Sequence, residues 1–389
     1  MTACKRIGGD WLRHPGTQAL MQALEAAGHR ALFVGGCVRN ALLDVAVSDL
    51  DISTDAPPET VSTIAELAGF KVVPTGIDHG TVTVVVEGRP HEVTTFRRDV
   101  KTFGRRAVVA FSDRIEDDAR RRDFTMNAVY ADRHGTVIDP LNGLPDLLAR
   151  RVRFVGDPET RIREDYLRIL RFFRFHAAYG DAAEGLDPAG LAACAALAEG
   201  LDGISKERIT AELRKLLAAR DPAPAVAAMS QAGVLARILP GADPHALAPL
   251  VHLETGHPDG DRPPRWLCRL AVLGGDTDSL RLSKAEARDL AALCTALGST
   301  DTPAALGWRL GETLGGDAVL ARAASLGTSP PQGWQGEVRR GANARFPVTA
   351  ADLMPGLQGA ALGARLKSLE TRWLSSGLTL SKEDLLKEA

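Results

Sequence analysis

Two aspartates spaced i, i+2, Asp49 and Asp51 in Ser48-Asp-Leu-Asp-Ile-Ser53, follow closely on a glycine pair, Gly35 and Gly36 in Leu32-Phe-Val-Gly-Gly-Cys-Val-Arg-Asn40. On an extended strand, residues i and i+2 leave the same side. The two carboxylates therefore come within short reach and repel each other unless a cation sits between them. The glycines bare backbone N–H groups at a helix start, where phosphate oxygens bind readily. Alone, each feature is ordinary: a glycine turn before a helix, an Asp-x-Asp turn. Their adjacency pairs a phosphate cradle with a divalent-metal ligand pair, a combination suited to nucleotide chemistry.

Two further constellations carry chemistry. Arg122-Asp-Phe-Thr-Met-Asn-Ala128 reads as the start of a helix, with Asp123 and Asn127 four apart on one face. A carboxylate beside an amide suits sugar hydroxyls, and Arg122 suits phosphate; a capped and charged first turn is the plainer reading. In Glu164-Asp-Tyr-Leu-Arg168, Asp165 and Arg168 are three apart and read as neighbours on a helix spanning Ile162–Tyr179. An exposed salt bridge contributes only about 0.3–0.5 kcal/mol. The alternative is base reading. Cytosine and adenine each place an exocyclic amine beside a ring-nitrogen acceptor, so a carboxylate with a guanidinium accepts C or A and rejects U and G. Spacing leaves both open. Arg171 and Arg174 continue the segment, and between Arg150 and Arg174 eight arginines face four acids. Such a stripe would hold triphosphate or RNA backbone.

These residues need a scaffold. Thr17–Ala27 reads as an amphipathic helix stopped by Gly28, and Pro57-Pro58 opens a second helix that ends at Gly69. Lys71–Pro74, Thr81–Glu87 and Glu92–Phe96 are β-branched runs split by Gly76-Ile-Asp-His-Gly80 and Glu87-Gly-Arg-Pro90, which predicts strands of one mixed sheet. The fold class is therefore α+β over residues 1–140. Arg97–Asp118, dense in charge and without clean period, reads as a long loop, either serving a polyanionic substrate or simply solvated. Beyond Asp139-Pro-Leu-Asn-Gly-Leu-Pro-Asp146 the texture is helical, predicting a neck over 141–232 and an Ala- and Leu-rich body over 233–389. In that body His252, His257 and Asp259 hint at a metal site that lacks further ligands.

With 389 residues, 45% hydrophobic and 25% charged, the chain fits an ordinary multi-domain globular protein. Aromatics at 5% argue against a base-stacking RNA platform. Five scattered cysteines without a Cys-x-x-Cys pair argue for reduced thiols rather than zinc or disulfides. No apolar run reaches membrane-spanning length and no signal-peptide core opens the chain, so a cytoplasmic protein without membrane contact is expected. Nothing in the sequence fixes an oligomeric state.

Gly35-Gly-Cys-Val-Arg39, Asp49-Leu-Asp51, Arg122–Ala128, Gly143-Leu-Pro-Asp146, Glu164–Arg168 and Ser205-Lys-Glu-Arg208 occur in the order typical of one family. Over roughly residues 30–220 the chain resembles the class II tRNA nucleotidyltransferases, or CCA-adding enzymes, grouped with bacterial poly(A) polymerases in the polymerase-β-like superfamily. The resemblance implies a polymerase-β-like nucleotidyltransferase head and an all-helical neck and body. The activity it implies is addition of CCA to the tRNA 3′ end from CTP and ATP. It further implies that Gly35, Gly36 and Arg39 serve the triphosphate and that Asp49 and Asp51 hold two Mg²⁺ ions, with Glu92 as third catalytic carboxylate. Arg122, Asp123 and Asn127 match the ribose segment, and Gly143–Asp146 match a hinge. Asp165 and Arg168 match the amino-acid template, with Glu164 orienting the arginine. Arg171 and Arg174 match phosphate contacts, and Arg208 lies in a bracing helix. Asn40 stands where the family usually has Asp; the amide keeps the polar shape, so a positioning role is expected. Partial CC or A addition, poly(A) synthesis, and a non-catalytic RNA-binding protein are the competing readings. Pro74–Thr83 looks like the CCA-adding version, and retention of both Asp49 and Asp51 argues against the non-catalytic one.

Overall fold

The computed structural model describes residues 5–74, 76–77, 80–103, 106–255, 262–354 and 356–387, with side chains throughout except at 99–109. The chain forms two compact units, one of Met1–Ile204 with Ala232–Val234, the other of Ser205–Gln231 with Leu235–Ala389.

Among its described residues the first unit is built on nine strands: β1 (Ala31–Val34), β2 (Asp51–Thr54), β3 (Lys71–Val73), β4 (Thr81–Val86), β5 (Arg89–Thr95), β6 (Arg97–Phe103), β7 (Arg106–Phe111), β8 (Tyr130–Ala131) and β9 (Val137–Ile138). Seven form a mixed sheet in the order β3-β4-β5-β2-β1-β8-β9, as the β-branched runs predict. β2 and β5 run parallel, with Asp51 opposite Glu92, whereas β1 and β2 run antiparallel, with Phe33 opposite Ile52. β1 is buried at all four positions, so it reads as a continuous apolar run, while β4 alternates with Val82, Val84 and Val86 inward. The helices of this unit are α1 (Asp10–Arg13), α2 (Pro15–Ala26), α3 (Gly36–Leu42), α4 (Pro58–Leu67), α5 (Ile115–Arg120), α6 (Leu144–Leu148), α7 (Pro158–Glu164), α8 (Leu167–Tyr179) and α9 (Pro188–Ala196). α2 buries Leu20, Met21 and Leu24, the face its spacing predicts.

Three local expectations are corrected. Arg97–Asp118 is not a loop: β6 and β7 pair as an antiparallel ribbon with an irregularity between Asp99 and Lys101, and α5 follows. The strand propensity of Arg106-Ala-Val-Val-Ala-Phe111 outweighs the charge density around it. The predicted helix at 120–130 is a single 3₁₀ turn, Thr125–Asn127, leading directly into β8. Phe124 is extended there and bridges Phe154. The predicted helix at 162–179 is two helices, because Asp165 is extended (φ −157°, ψ 105°) between α7 and α8.

Those breaks converge on one aromatic core. Phe124 lies 5.0 Å from Phe154 and 5.0 Å from Phe175, and Phe154 stacks on Phe172 at 5.4 Å. The sparse aromatics are thus spent inside, joining α8 to the strand-and-turn segment around Phe124. Tyr166, between Asp165 and α8, packs on the 3₁₀ segment Ala198–Gly203, where a Cβ at Gly200 would run into its ring.

Beyond Ile204 the described residues form helices without strands: α10 (Lys206–Leu217), α11 (Ala223–Gln231), α12 (Val234–Ile238), α13 (Leu247–Thr255), α14 (Trp266–Leu273), α15 (Lys284–Leu297), α16 (Pro303–Leu326), α17 (Trp334–Asn343), α18 (Gly359–Ser375) and α19 (Lys382–Leu386), with α16 interrupted at Gly311. Within the second unit the guanidinium of Arg269, 1% exposed, is satisfied by Glu254 and by the carbonyls of Leu217, Ala219 and Arg220. Around Trp373 the C-terminal helices close a second apolar cluster with Trp308 and Phe346. His252 lies on α13, whereas His257 and Asp259 fall outside the described residues, as do Thr75, Asp78 and His79 of the Pro74–Thr83 segment. Cys37, Cys194, Cys268 and Cys294 are free thiols. No helix among the described residues is long and apolar enough to cross a membrane.

Candidate active site

β1 runs into Gly35, whose φ of +69° and ψ of −116° suit glycine and turn the chain into α3 at Gly36. The register of β1 on β2 brings this turn beside the start of β2, where Asp51 begins the strand. Asp49 lies just outside the strand rather than on it, in the loop that enters β2. Asp49, Asp51 and Glu92 nevertheless line one cavity of about 580 Å³. Burial and then the negative charge of Glu92, with that of Asp49, push the Asp51 carboxyl above its ordinary range, against an opposing pull from Arg122. Among the described residues no three metal-ligating side chains are gathered into a finished coordination shell. The carboxylates share a cavity and repel, which is the condition a divalent cation relieves.

Beside the glycine turn lies a cationic network, with Arg122 and Arg39 within 4 Å of where Cβ atoms at Gly35 and Gly36 would stand. Arg39, 7% exposed, donates from Nη1 to Asn127 Oδ1 (2.6 Å), from Nη2 to the Tyr179 hydroxyl (2.7 Å), and from Nε (3.2 Å) and Nη2 (2.9 Å) to Asn40 Oδ1. Its guanidinium sits 4.0 Å from the Tyr179 ring centre. Asn40 thus positions Arg39 through its amide oxygen and anchors itself by donating to the Ala46 carbonyl (2.8 Å). Burial, followed by the field of Arg174, pulls the Arg39 pKa down while Tyr179 and Asp123 oppose it. Asn127 also donates to Asp123 Oδ1 (2.9 Å), and Asp123 is bound by Arg171 through both Nε (2.8 Å) and Nη2. Asp123 and Asn127 are therefore paired as their spacing predicts, across a 3₁₀ turn rather than along an α-helix. Burial would raise the Asp123 carboxyl, but Arg171 and the Asn127 amide hold it low. Arg39, Arg171 and Arg174 all approach the Phe175 ring, at 5.2, 5.2 and 4.4 Å. Three guanidiniums around one ring concentrate positive charge where an anion would be held.

Arg122 is held from behind by residues the sequence reading did not single out. Its Nη2 donates to Asp118 (3.0 Å) and its Nε to the Tyr130 hydroxyl (3.2 Å), which itself donates to Asp118 (2.7 Å). Burial alone would raise the Asp118 carboxyl, but Arg122 and Arg121 outweigh it and hold it at about 2.

At the α7–α8 break, Glu164 accepts from both Arg161 and Arg168. Asp165 accepts from the Leu167 amide (3.2 Å), capping α8, while Arg168 also donates to the Arg161 carbonyl (2.7 Å). Asp165 and Arg168 thus span the opening turn of α8, closed by the Arg168 amide donating to the Asp165 carbonyl (3.0 Å), rather than lying within one helix that runs from Ile162. Arg161, buried and easily overlooked among eight arginines, donates to the carbonyls of Arg121 and Arg122 and so ties this break to the segment that carries Asp123 and Asn127. Its spacing, three before Glu164 and seven before Arg168, is the signal that would have found it. Gly143–Asp146 forms the start of α6: Asp139 caps it through the amides of Gly143 and Leu144 (2.8 Å each), and Thr125 donates to Asp146 (2.9 Å). Arg208 lies in the first turn of α10, in the second unit.

A mixed sheet with carboxylates at the start of a central strand beside a glycine turn defines a polymerase-β-like nucleotidyltransferase head. Comparison with known proteins agrees. Residues 31–153 match the poly A polymerase head domain, and residues 185–245 match a probable RNA and SrmB-binding site of polymerase A. The chain is 41% identical over 203 residues to human CCA tRNA nucleotidyltransferase 1, mitochondrial, covering 52% of this chain and 47% of that one. It is 42% identical over 224 residues to the CCA-adding enzyme of Geobacillus stearothermophilus, covering 57% and 54%. These matches span about half the length of the curated relatives. A crystal structure of the Bacillus stearothermophilus CCA-adding enzyme in complex with CTP superposes with a TM-score of 0.73 at 30% identity, over 93% of this chain and 92% of that one. The Thermotoga maritima CCA-adding enzyme complexed with tRNA shares the fold, at 20% identity and a TM-score of 0.69 over 99% and 96%. The chain belongs to the class II CCA-adding enzyme family.

Proposed function

We propose that this protein is a template-independent RNA nucleotidyltransferase that adds CCA to the 3′ end of tRNA from CTP and ATP. The observation that carries the reading is the register of Asp51 on Glu92 beside the Gly35 turn. The names of the relatives supply the substrates. By this reading residues 1–140 are the catalytic head, 141–232 the neck and 233–389 a body that docks tRNA.

Asp49 and Asp51 fit a divalent cation because burial and mutual repulsion raise Asp51. Two Mg²⁺ ions bound there, with Glu92 beside them, would lower the charge barrier between RNA hydroxyl and nucleotide. The Gly35–Gly36 turn with Arg39, Arg171 and Arg174 holds the triphosphate, and Asp123 with Asn127 holds the ribose against Arg122. Asp165 accepts the exocyclic amine of C or A while Arg168, fixed by Glu164, donates to its ring acceptors. The RNA 3′-oxygen forms a bond to the α-phosphorus and the bond from that phosphorus to the bridging oxygen breaks. Pyrophosphate departs with the electron pair, and the hydroxyl proton passes to water. Gly143–Asp146 lets head and neck adjust as the end grows.

Incubation of the purified protein with tailless tRNA and CTP, ATP or both tests the reading. CCA is the expected product; A tracts from ATP alone, or arrest after CC, overturn it. Asp51→Ala abolishes addition. Asp165→Ala lowers discrimination against UTP and GTP by about tenfold or more, the value of one lost bidentate base contact, and unchanged selectivity removes the base-reading assignment.

A further inference from the structure

Tyr130 is fully buried in an apolar cluster with Leu32, Val34, Phe96, Ile115 and Ala128. Phenylalanine would pack there equally well, and an unpaired hydroxyl in such a place costs free energy. The hydroxyl is instead spent twice. It accepts from Arg122 Nε (3.2 Å) and donates to Asp118 Oδ2 (2.7 Å), and that same oxygen accepts from Arg122 Nη2 (3.0 Å). The three side chains close a triangle that holds the guanidinium in one orientation. The other Asp118 oxygen accepts from Arg121 Nε (2.7 Å), so two guanidiniums share one carboxylate. Arg161 fixes the backbone of the same segment by donating to the carbonyls of Arg121 and Arg122.

The register fixes which way this triangle faces. Tyr130 on β8 is the partner of Val34 on β1, whereas Phe33 is the partner of Ile52 on β2. Alternation then puts Val34, Tyr130, Asp51 and, across the parallel pair, Glu92 on one face of the sheet. What the triangle leaves over is Arg122 Nη1. It has no hydrogen-bond partner among the described residues and lies 3.3 Å from where a Cβ on Gly35 would stand. Its charge also reaches Asp51, whose carboxyl it pulls down against burial. The free edge of the guanidinium therefore lies at the glycine turn, where phosphate oxygens would meet backbone amides and a fixed cation together.

We propose that Tyr130 is a positioning residue of the nucleotide site: its hydroxyl, anchored on Asp118, sets Arg122 so that Nη1 donates to a phosphate of the incoming nucleotide at the Gly35 turn. The proposal rests on the nucleotidyltransferase reading above. The tyrosine touches no substrate itself. It contributes orientation, because a guanidinium held in advance loses less freedom on meeting the anion.

Equilibrium binding of CTP to the full chain with Mg²⁺ tests the proposal, followed by extension of tailless tRNA. Tyr130→Phe keeps the ring in its cluster and removes only the hydroxyl. It raises Kd and KM for CTP and ATP about fivefold, the value of one hydrogen bond, while KM for tRNA and the preference for CTP over UTP stay within about twofold. Binding of cytidine, which carries no phosphate, is unchanged. Arg122→Lys alone raises the CTP constants at least as much. It keeps the charge but offers the hydroxyl no Nε, so Tyr130→Phe in that background adds less than about twofold. A loss of packing alone would instead be additive and would raise KM for tRNA as well. CTP binding that depends on Tyr130 in a protein that extends no tRNA refutes the activity and sustains the positioning role. Unchanged CTP affinity in Tyr130→Phe, a loss shared by cytidine, or full additivity with Arg122→Lys overturns it.

Discussion

Asp51 and Glu92 are register partners across the parallel pair β2–β5, so their carboxylates leave the same face of the sheet one strand apart. The fold holds them there at a cost. The Asp51 carboxyl is raised from its ordinary 3.8 by burial and by Glu92. A carboxyl whose folded pKa lies above its unfolded one binds more protons folded than unfolded. Stability is therefore lost as pH rises through that interval, and the penalty persists at neutral pH.

Removing the charge should accordingly stabilise the metal-free protein. Asp51→Asn raises the melting temperature in EDTA by about 2 °C or more, while the wild type gains stability on adding Mg²⁺ and the variant does not. Thermal melts in EDTA and in Mg²⁺ check both halves. A variant that melts at or below the wild type in EDTA removes the repulsion argument.

Gly200 gives Tyr166 its room, and Tyr166 sits between Asp165 and the start of α8. Gly200→Ala should cost about 1–3 kcal/mol through overpacking, and the forced shift of Tyr166 should weaken the preference for CTP over UTP. Adding Tyr166→Ala removes the clash, so the pair of changes is non-additive in urea melts. Strict additivity would place the clash elsewhere.

His91 is fully buried, its Nδ1 donating to the Arg89 carbonyl (3.1 Å) and its Nε2 accepting from Thr17 Oγ1 (2.9 Å). Burial lowers its pKa from 6.5. The unfolded chain then binds the extra proton more readily, so this contribution is present above about pH 6.5 and lost as pH falls through and below it. Urea melts at pH 8 and pH 5.5 should show a loss on acidification that His91→Gln diminishes. An unchanged pH slope in the variant would assign the acid sensitivity to other groups.

Sequence patterns locate elements that bury one continuous face and miss those whose conformation is decided by a single side chain. The run Ala31–Val34, the alternation Val82, Val84, Val86 and the glycine pair were readable because burial period and backbone need coincide with residue type. The Asp165 break was not, since Ile162, Tyr166, Ile169 and Phe173 keep helical spacing straight through it. What decides there is an Asp side chain capping the Leu167 amide, a signal that Asp offers equally on a helix surface. Asp123 and Asn127 were paired correctly for the wrong local reason: a 3₁₀ turn also brings them together. Of the partners that hold the arginines, Tyr179 lies far from Arg39 in sequence and Tyr130 looks like ordinary core, so only the folded chain brings them to the site; Asp118 stands four before Arg122, a spacing hidden because it closes the segment that reads as a loop.

The rings of Phe124, Phe154, Phe172 and Phe175 work as a gauge block. α8 begins just after Asp165 and carries Arg168, and Asp123 directly precedes Phe124, so the residues proposed to read the base and to hold the ribose are fastened to the same stack. Sliding one past the other means unstacking buried aromatics. The interval between them holds while the stack is intact, so an adjustment at Gly143–Asp146 has to carry these rings as one block or unstack them.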